Sequence, residues 1–251
     1  MADFSGKRVL VTGGARGIGA AACSAFRASG ARVAVGARGQ ESYELFLGSA
    51  EGGGFVPAIG DVVGQAAAGA LVREAIARLG GLDVLVNSAG VFEEVAVEQA
   101  TEAHWDRMID VNLGGTFFCC QAALPALEAS GGSIVNVASD AGLVGYPRGA
   151  AYSAAKGGVV NLTRALAVEL AGRVRVNCVC PGNVDTLMIG EAAAASGDPD
   201  AYLAKARLRS PLKRMARPEE VAVAILFLAS TEASFTTGAA LTVDGGGLAG
   251  F

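Results

Sequence analysis

The chain has 251 residues, of which 36 are Gly, 52% are hydrophobic and 18% are charged, with a formal net charge of −4. That balance excludes a disordered chain, and the lack of a Gly-X-Y period excludes a collagen-like one. No run of Lys and Arg exceeds two residues, so no nucleic-acid partner is expected, and the longest apolar run, Val221 to Ala229, is too short to cross a bilayer. The first residues carry no signal-peptide pattern, which leads to the expectation of a cytoplasmic protein without a membrane partner. Five cysteines without CxxC spacing and a lone His104 lead to the expectation of free thiols and no metal.

In chain order, strands are predicted at Arg8–Thr12, Arg32–Val35, Phe55–Ile59, Leu82–Val86, Ser133–Ala138, Arg175–Val179 and Ala240–Val243. Helices are predicted near 18–29, 40–48, 65–79, 101–129 (broken), 151–171 and 218–229. The strands lack strict apolar/polar alternation, as burial on both faces of a parallel sheet requires. The pattern predicts an α/β fold: a single-domain, Rossmann-like, doubly wound parallel sheet of seven strands with helices on both faces, spanning 1–251. Residues 183–217 stand apart as a long excursion between the sixth and seventh strands, read as a substrate-binding loop or lid.

Directly after the first strand comes Gly13-Gly14-Ala15-Arg16-Gly17-Ile18-Gly19, and then a helix. Glycines at a strand–helix turn let the backbone approach a pyrophosphate, and the helix N-terminus offers unpaired N–H groups. The spacing is Gly-x3-Gly-x-Gly, not GxGxxG. The second strand ends without an acid and carries Arg38; Arg16 lies in the first turn. An acid there would bond a ribose 2′-hydroxyl, whereas a guanidinium suits a 2′-phosphate, so NADP(H) is favoured over NAD(H).

Tyr152 and Lys156 lie four residues apart in a helical stretch, hence on one face. An ammonium about 5 Å from a phenol, at an effective dielectric near 20, favours phenolate by about 3 kcal/mol. Lys156 is therefore expected to bring Tyr152 toward the pH range where general acid–base catalysis works best.

Thr12–Gly19, Asn87-Ser88-Ala89-Gly90, Asn112, Ser139, Tyr152-x3-Lys156 and Pro181-Gly182-Asn183-Val184-Asp185-Thr186 occur in the order and spacing of the short-chain dehydrogenase/reductase family. The chain resembles its branch of about 250 residues over essentially its whole length. The resemblance implies that Tyr152 is the acid/base and that Ser139 bonds the reacting oxygen. Lys156 would tune the tyrosine and bond the nicotinamide ribose, and Asn112 would hold a water linking Lys156 to solvent. Asp61 and Val62 would meet adenine. Asn87, Ala89 and Gly90 would line the cofactor groove, and Pro181, Gly182, Val184 and Thr186 would contact the nicotinamide. Plainer roles are open to several of them: Ser139 or Thr186 as a helix cap, Asn112 bonded to backbone, Asn87 closing a strand. Ser88 departs from the family's usual second Asn, for which a local adjustment is expected.

Candidate pocket residues are Val91, Phe92, Glu93, Asp140, Leu143, Val144, Tyr146, Arg148, Asn183, Leu187 and Met188. This mixture suits a small-molecule carbonyl or alcohol substrate, with an NADPH-dependent carbonyl reductase as the leading expectation. A 3-oxoacyl-(acyl-carrier-protein) reductase is weakened by Glu128 and the lack of a base between Leu124 and Ser133, although Arg164, Arg173 and Arg175 could compensate. An NAD-dependent alcohol or sugar dehydrogenase remains open. A non-catalytic nucleotide sensor of the same family usually lacks the Tyr–Lys pair, and enoyl reductase relatives space it differently. The resemblance also implies a homotetramer, with the helices at 101–129 and 151–171 between subunits.

Overall fold

The computed structural model describes residues 2–50 and 53–250. The first half runs β1 (Arg8–Thr12), α1 (Gly17–Ala28), β2 (Arg32–Ala37), α2 (Gln40–Ser49), β3 (Val56–Ile59) and α3 (Gln65–Leu79). Then come β4 (Val84–Asn87), α4 (Glu102–Ile109), α5 (Gly115–Ser130), β5 (Ser133–Val137), α6 (Ala150–Glu169) and β6 (Arg175–Pro181). The chain closes with α7 (Leu187–Ala195), α8 (Pro199–Leu208), α9 (Pro218–Ala229) and β7 (Ala240–Val243). The strands form one sheet in the order β3-β2-β1-β4-β5-β6-β7, parallel throughout.

Neighbouring residues of each strand point to opposite faces, and both faces are covered. Val9 and Val11 of β1 pack with Cys23 and Phe26 of α1, Phe46 of α2 and Ile225 of α9. Leu10, between them, joins Leu71 of α3 and Leu127 of α5 on the other face. Full burial of each such side chain stabilises by roughly 1.5–3 kcal/mol, which is why the strands read as continuous apolar runs. Direction reverses at β1, where one half of the sheet winds toward β3 and the other toward β7. The crevice beyond the carboxyl ends of β1 and β4 is the place where such sheets bind ligands.

Two regions refine the predicted elements, the first as expected and the second not. The stretch 101–129 breaks where Asp110–Gly114 forms a π-helical turn between α4 and α5. The excursion at 183–217 holds two helices, α7 and α8, that were not predicted. It is pinched at its base, where Asp185 N–H donates to Ala216 O (2.9 Å) and Ala216 N–H donates to Asn183 O (3.0 Å). Among the described residues no helix is long and apolar enough to cross a membrane, and no three His, Cys, Asp or Glu side chains gather as metal ligands.

Candidate active site

The crevice opens as a cavity of about 420 Å³ running from the β1–α1 turn, past β4 and β5, to the foot of α7. Its floor is backbone. Gly13 has φ +63, and a Cβ there would lie 2.7 Å from the Cα of Ala89. Gly90 is equally confined: a side chain would meet Asn112 Oδ1 at 2.9 Å. Arg16, Gly17 and Ile18 face the cavity at the start of α1, whose first turn carries no acid. Such a cradle fits a dinucleotide pyrophosphate, because it leaves helix N–H groups free and fits no side chains against the ligand path.

Gly19 and Asn87, expected in the groove, do not line it. The position of a Gly19 Cβ falls 2.2 Å from Gly13 O, so this glycine lets α1 pack under the turn. Asn87 turns its amide into the core, donating to Asn136 Oδ1 (2.9 Å) and Cys120 Sγ (3.2 Å). It closes β4, the plainer of its two readings. Arg38 follows β2 at the cavity wall with Asp61 and Val62 nearby. Asp61 Oδ1 accepts from the N–H groups of Val62 (2.7 Å) and Val63 (3.1 Å), which fixes that corner. Ala89, Gly90, Pro181, Gly182, Val184 and Thr186 complete the wall. Thr186 sits where α7 begins, but its hydroxyl donates to Val184 O (3.3 Å) and caps nothing.

Asn112, Ser139, Tyr152 and Lys156 come together at the inner end. The π-turn presents Asn112, which donates to Met108 O (2.9 Å) and Val91 O (3.1 Å) and accepts from Val91 N–H (3.2 Å). Ser139, directly after β5, accepts from Ala141 N–H (3.1 Å) and donates to Asp140 Oδ1 (3.0 Å). Both residues thus also fill the plainer roles, as backbone tie and cap. One turn apart on α6, Lys156 Nζ lies 5.7 Å from the Tyr152 ring centre and donates to Val137 O (2.9 Å).

Here the structure corrects an expectation. Burial holds the Tyr152 phenol well above its ordinary range; the Ser139 hydroxyl pulls it partly back, and Asp140 and Tyr146 push it further up. Burial also brings Lys156 down to about 8, with the Cys180 and Cys178 thiols opposing. Loss of water sets both directions: Lys156 is buried with its ammonium spent on a carbonyl, and the half-buried Tyr152 has its phenol turned inward.

Phe92 sets its ring edge against Tyr152 (4.9 Å between centres) and against Tyr146 (5.8 Å). Val91, Phe92, Tyr146, Asn183, Leu187 and Met188 line the cavity; Glu93, Leu143 and Arg148 do not. Asp140 and Val144 face a second cavity of about 380 Å³ beside it. Sequence reasoning missed the polar cluster around Glu94, which meets the cavity through Tyr146. Glu94 Oε1 accepts from Tyr146 (3.2 Å) and from Tyr202 of α8 (2.8 Å). Arg209, capping α8, lies over the Tyr146 ring at 4.4 Å and reaches Asp140 Oδ2 at 3.8 Å.

This grouping of phosphate cradle, tyrosine, lysine, serine and asparagine can be compared with known proteins. A family model described as enoyl-(acyl carrier protein) reductase matches residues 13–247. The chain belongs to the short-chain dehydrogenase/reductase family. It is an oxidoreductase of that family, with a small-molecule substrate. The chain is 42% identical over 250 residues to L-fucose dehydrogenase of Mus musculus, covering 99% of this chain and 90% of that protein. It is 42% identical over 245 residues to 2-(S)-hydroxypropyl-CoM dehydrogenase 3 of Xanthobacter autotrophicus, covering 95% of each. A solved structure from Sinorhizobium meliloti superposes with a TM-score of 0.92 at 37% identity, over 99% of both chains.

Proposed function

We propose that this short-chain dehydrogenase/reductase is an NADP(H)-dependent carbonyl reductase that interconverts a ketone or aldehyde and its alcohol. The observation that carries the cofactor preference is the end of β2. Arg38 and Arg16 both stand at the cavity wall, and no acid follows β2 before Glu41. A carboxylate there would repel a 2′-phosphate, whereas two guanidinium groups bind it with charge-assisted forks. The nicotinamide supplies the hydride when bound.

The protein's own residues handle the oxygen. Ser139 and the Tyr152 phenol both line the inner end of the cavity, where they would donate to the substrate oxygen on which charge develops. Tyr152 gives up its proton to that oxygen and keeps the O–H electron pair as phenolate. Lys156, in its protonated form, lies one turn away to balance that charge. Asn112, beside Gly90 and close to Lys156, fits the position from which a proton could be returned from solvent. Residues 183–217 serve as the lid over the substrate. The assembly is proposed to be a homotetramer, supported by the exposed Trp105 of α4, Phe117 of α5 and Val168 of α6.

A second reading, a dehydrogenase of a hydroxylated substrate, is favoured by the polar cluster of Glu94, Tyr202 and Arg209 behind the cavity residue Tyr146 and by the relative that is an L-fucose dehydrogenase. The carrier-linked reading loses ground because Arg173 is paired with Glu128. The test is initial rates with NADPH and NADH on ethyl acetoacetate and an acetoacetyl thioester, and with both oxidised cofactors on L-fucose and a secondary alcohol. A tenfold preference for NADH would overturn the cofactor assignment, and oxidation of L-fucose alone would favour the second reading.

A further inference from the structure

Asp140 is a carboxylate placed one residue beyond the serine of the site, and the roles described so far leave it unused. Its two oxygens face different ways. Oδ1 accepts from Ser139 Oγ–H (3.0 Å) and from Ala141 N–H (2.8 Å), while Oδ2 faces Arg209 at 3.8 Å. A serine hydroxyl has one hydrogen. In this arrangement that hydrogen is held by Asp140 and is withheld from a substrate oxygen, where transition-state stabilisation needs it.

Arg209 caps the C-terminal end of α8, so its reach to Asp140 depends on how the 183–217 excursion is seated. That seating rests on Tyr202 donating to Glu94 and on Arg209 stacking over Tyr146. Drawing the carboxylate charge toward Oδ2 weakens Oδ1 as an acceptor. Here α8 is seated with Arg209 at 3.8 Å, short of a direct hydrogen bond, and Oδ1 still holds the serine; a closer approach of Arg209 would loosen that grip.

We infer that Asp140 is a positioning residue that restrains the Ser139 hydroxyl, and that a direct Arg209–Oδ2 bond, closer than the contact seen here, releases it, so that full closure of the excursion and readiness of the serine are one event. The inference rests on the proposed role of Ser139. The charged and titratable groups that face Asp140 are Arg209 from α8, Asp244 after β7, the Tyr152 phenol of α6 and the Cys180 thiol of β6. Asp244 is itself occupied with the N–H groups of Gly246 (3.0 Å) and Leu248 (2.8 Å). Burial pushes the Asp140 carboxyl up from the ordinary range, with Ser139 and Arg209 opposing. Loss of Arg209 therefore moves it further up. Protonation of Asp140 then does what Arg209 did, so the variant recovers rate as pH falls.

The experiment is a double-mutant cycle on kcat/KM, using whichever probe of the panel above turns over fastest, together with a carboxyl-carbon NMR titration of Asp140 that needs no substrate. Arg209→Gln is expected to lower kcat/KM about tenfold at neutral pH, the size of one charge-assisted bond. Arg209→Lys is expected to keep most of the rate and serves as the folding control. Adding Asp140→Asn to Arg209→Gln should restore the rate to within about threefold of wild type and abolish the gain at low pH. In the titration, the Asp140 midpoint should rise in both Arg209→Gln and Ser139→Ala. Failure of Asp140→Asn to rescue, or an Asp140 midpoint that does not move, overturns the inference. Wild-type turnover in Ser139→Ala overturns instead the role of Ser139 itself, which separates the two failures.

Discussion

At the β1–α1 end of the cleft the walls are backbone, whereas behind Tyr146 the cleft is backed by a cluster of side chains brought from three distant segments. Gly13 and Gly90 leave no room for a Cβ, so the first end has one shape that the sheet dictates. The second end depends on Glu94, Tyr146, Tyr202 and Arg209, each with rotamers to choose and each on a loop or on the excursion. Phosphate recognition can be common to many proteins because main-chain N–H groups perform it, while substrate choice must vary and falls to side chains. The chemistry sits where the two ends meet, on β5 and α6.

The comparison breaks most completely at that junction. Tyr152→Phe removes only the phenolic oxygen from a ring that stays packed on Phe92. It is expected to lower kcat by about 10²–10⁴-fold with cofactor affinity unchanged, as steady-state rates and cofactor titration would show. Near-native turnover would remove Tyr152 from the mechanism. Next in size is Gly19→Ala at the backbone end. The added methyl would fall 2.2 Å from a main-chain oxygen, which no rotamer can relieve. A loss of about 1–3 kcal/mol or more is expected, measured as a lowered Tm together with weakened cofactor binding. A variant that binds cofactor normally would show that the turn yields more than its contacts suggest.

The two ends also differ in how far they could be read from the chain. Glycine spacing after a β run declares the phosphate turn, because few other structures need three glycines there. The strand cores were legible for a similar reason, since burial on both faces leaves only apolar choices. Strand ends were not. β2 runs on through Gly36-Ala37 and β6 through Cys180-Pro181, residues with little strand preference, because the neighbouring ladders hold them: Gly36 pairs with Thr12 and Ala58, Pro181 with Val243. α8 had a signal that went unread, Asp198-Pro199. The aspartate accepts from Ala201 N–H (3.0 Å), with proline in the first turn. α7 starts at Thr186, a cap candidate in the sequence, but the hydroxyl bonds Val184 O and leaves the helix without a side-chain cap. The Glu94–Tyr202 contact joins residues 108 positions apart, and no local pattern announces it. The failed expectation for Tyr152 has the same origin: spacing fixes the Tyr–Lys separation, but desolvation is set by the whole fold.

A smaller effect sharpens the comparison at the edge of the backbone end. Arg38→Asp replaces a guanidinium with the group that bonds a ribose 2′-hydroxyl. The ratio of kcat/KM for NADPH over NADH should fall by about ten- to a hundredfold, the worth of one charge-assisted bond plus the repulsion that replaces it. An unchanged ratio would move phosphate discrimination to Arg16, which lies 3.5 Å from Glu191 of α7 and so competes for a second partner.

The smallest effect tests the side-chain end. Tyr202→Phe removes one hydrogen bond to Glu94, whose Oε1 still accepts from Tyr146 at 3.2 Å. The cost is about 0.5–1.5 kcal/mol, which would appear as a several-fold rise in substrate KM with little change in cofactor affinity. If α8 were only a passive wall, the effect would stop at KM. Since Arg209 caps the same helix and reaches Asp140, loosening α8 should also cost some kcat, and that part alone should vanish when Asp140 is replaced by Asn. A kcat loss of equal size in both backgrounds would assign Tyr202 to packing and leave the serine independent of the excursion.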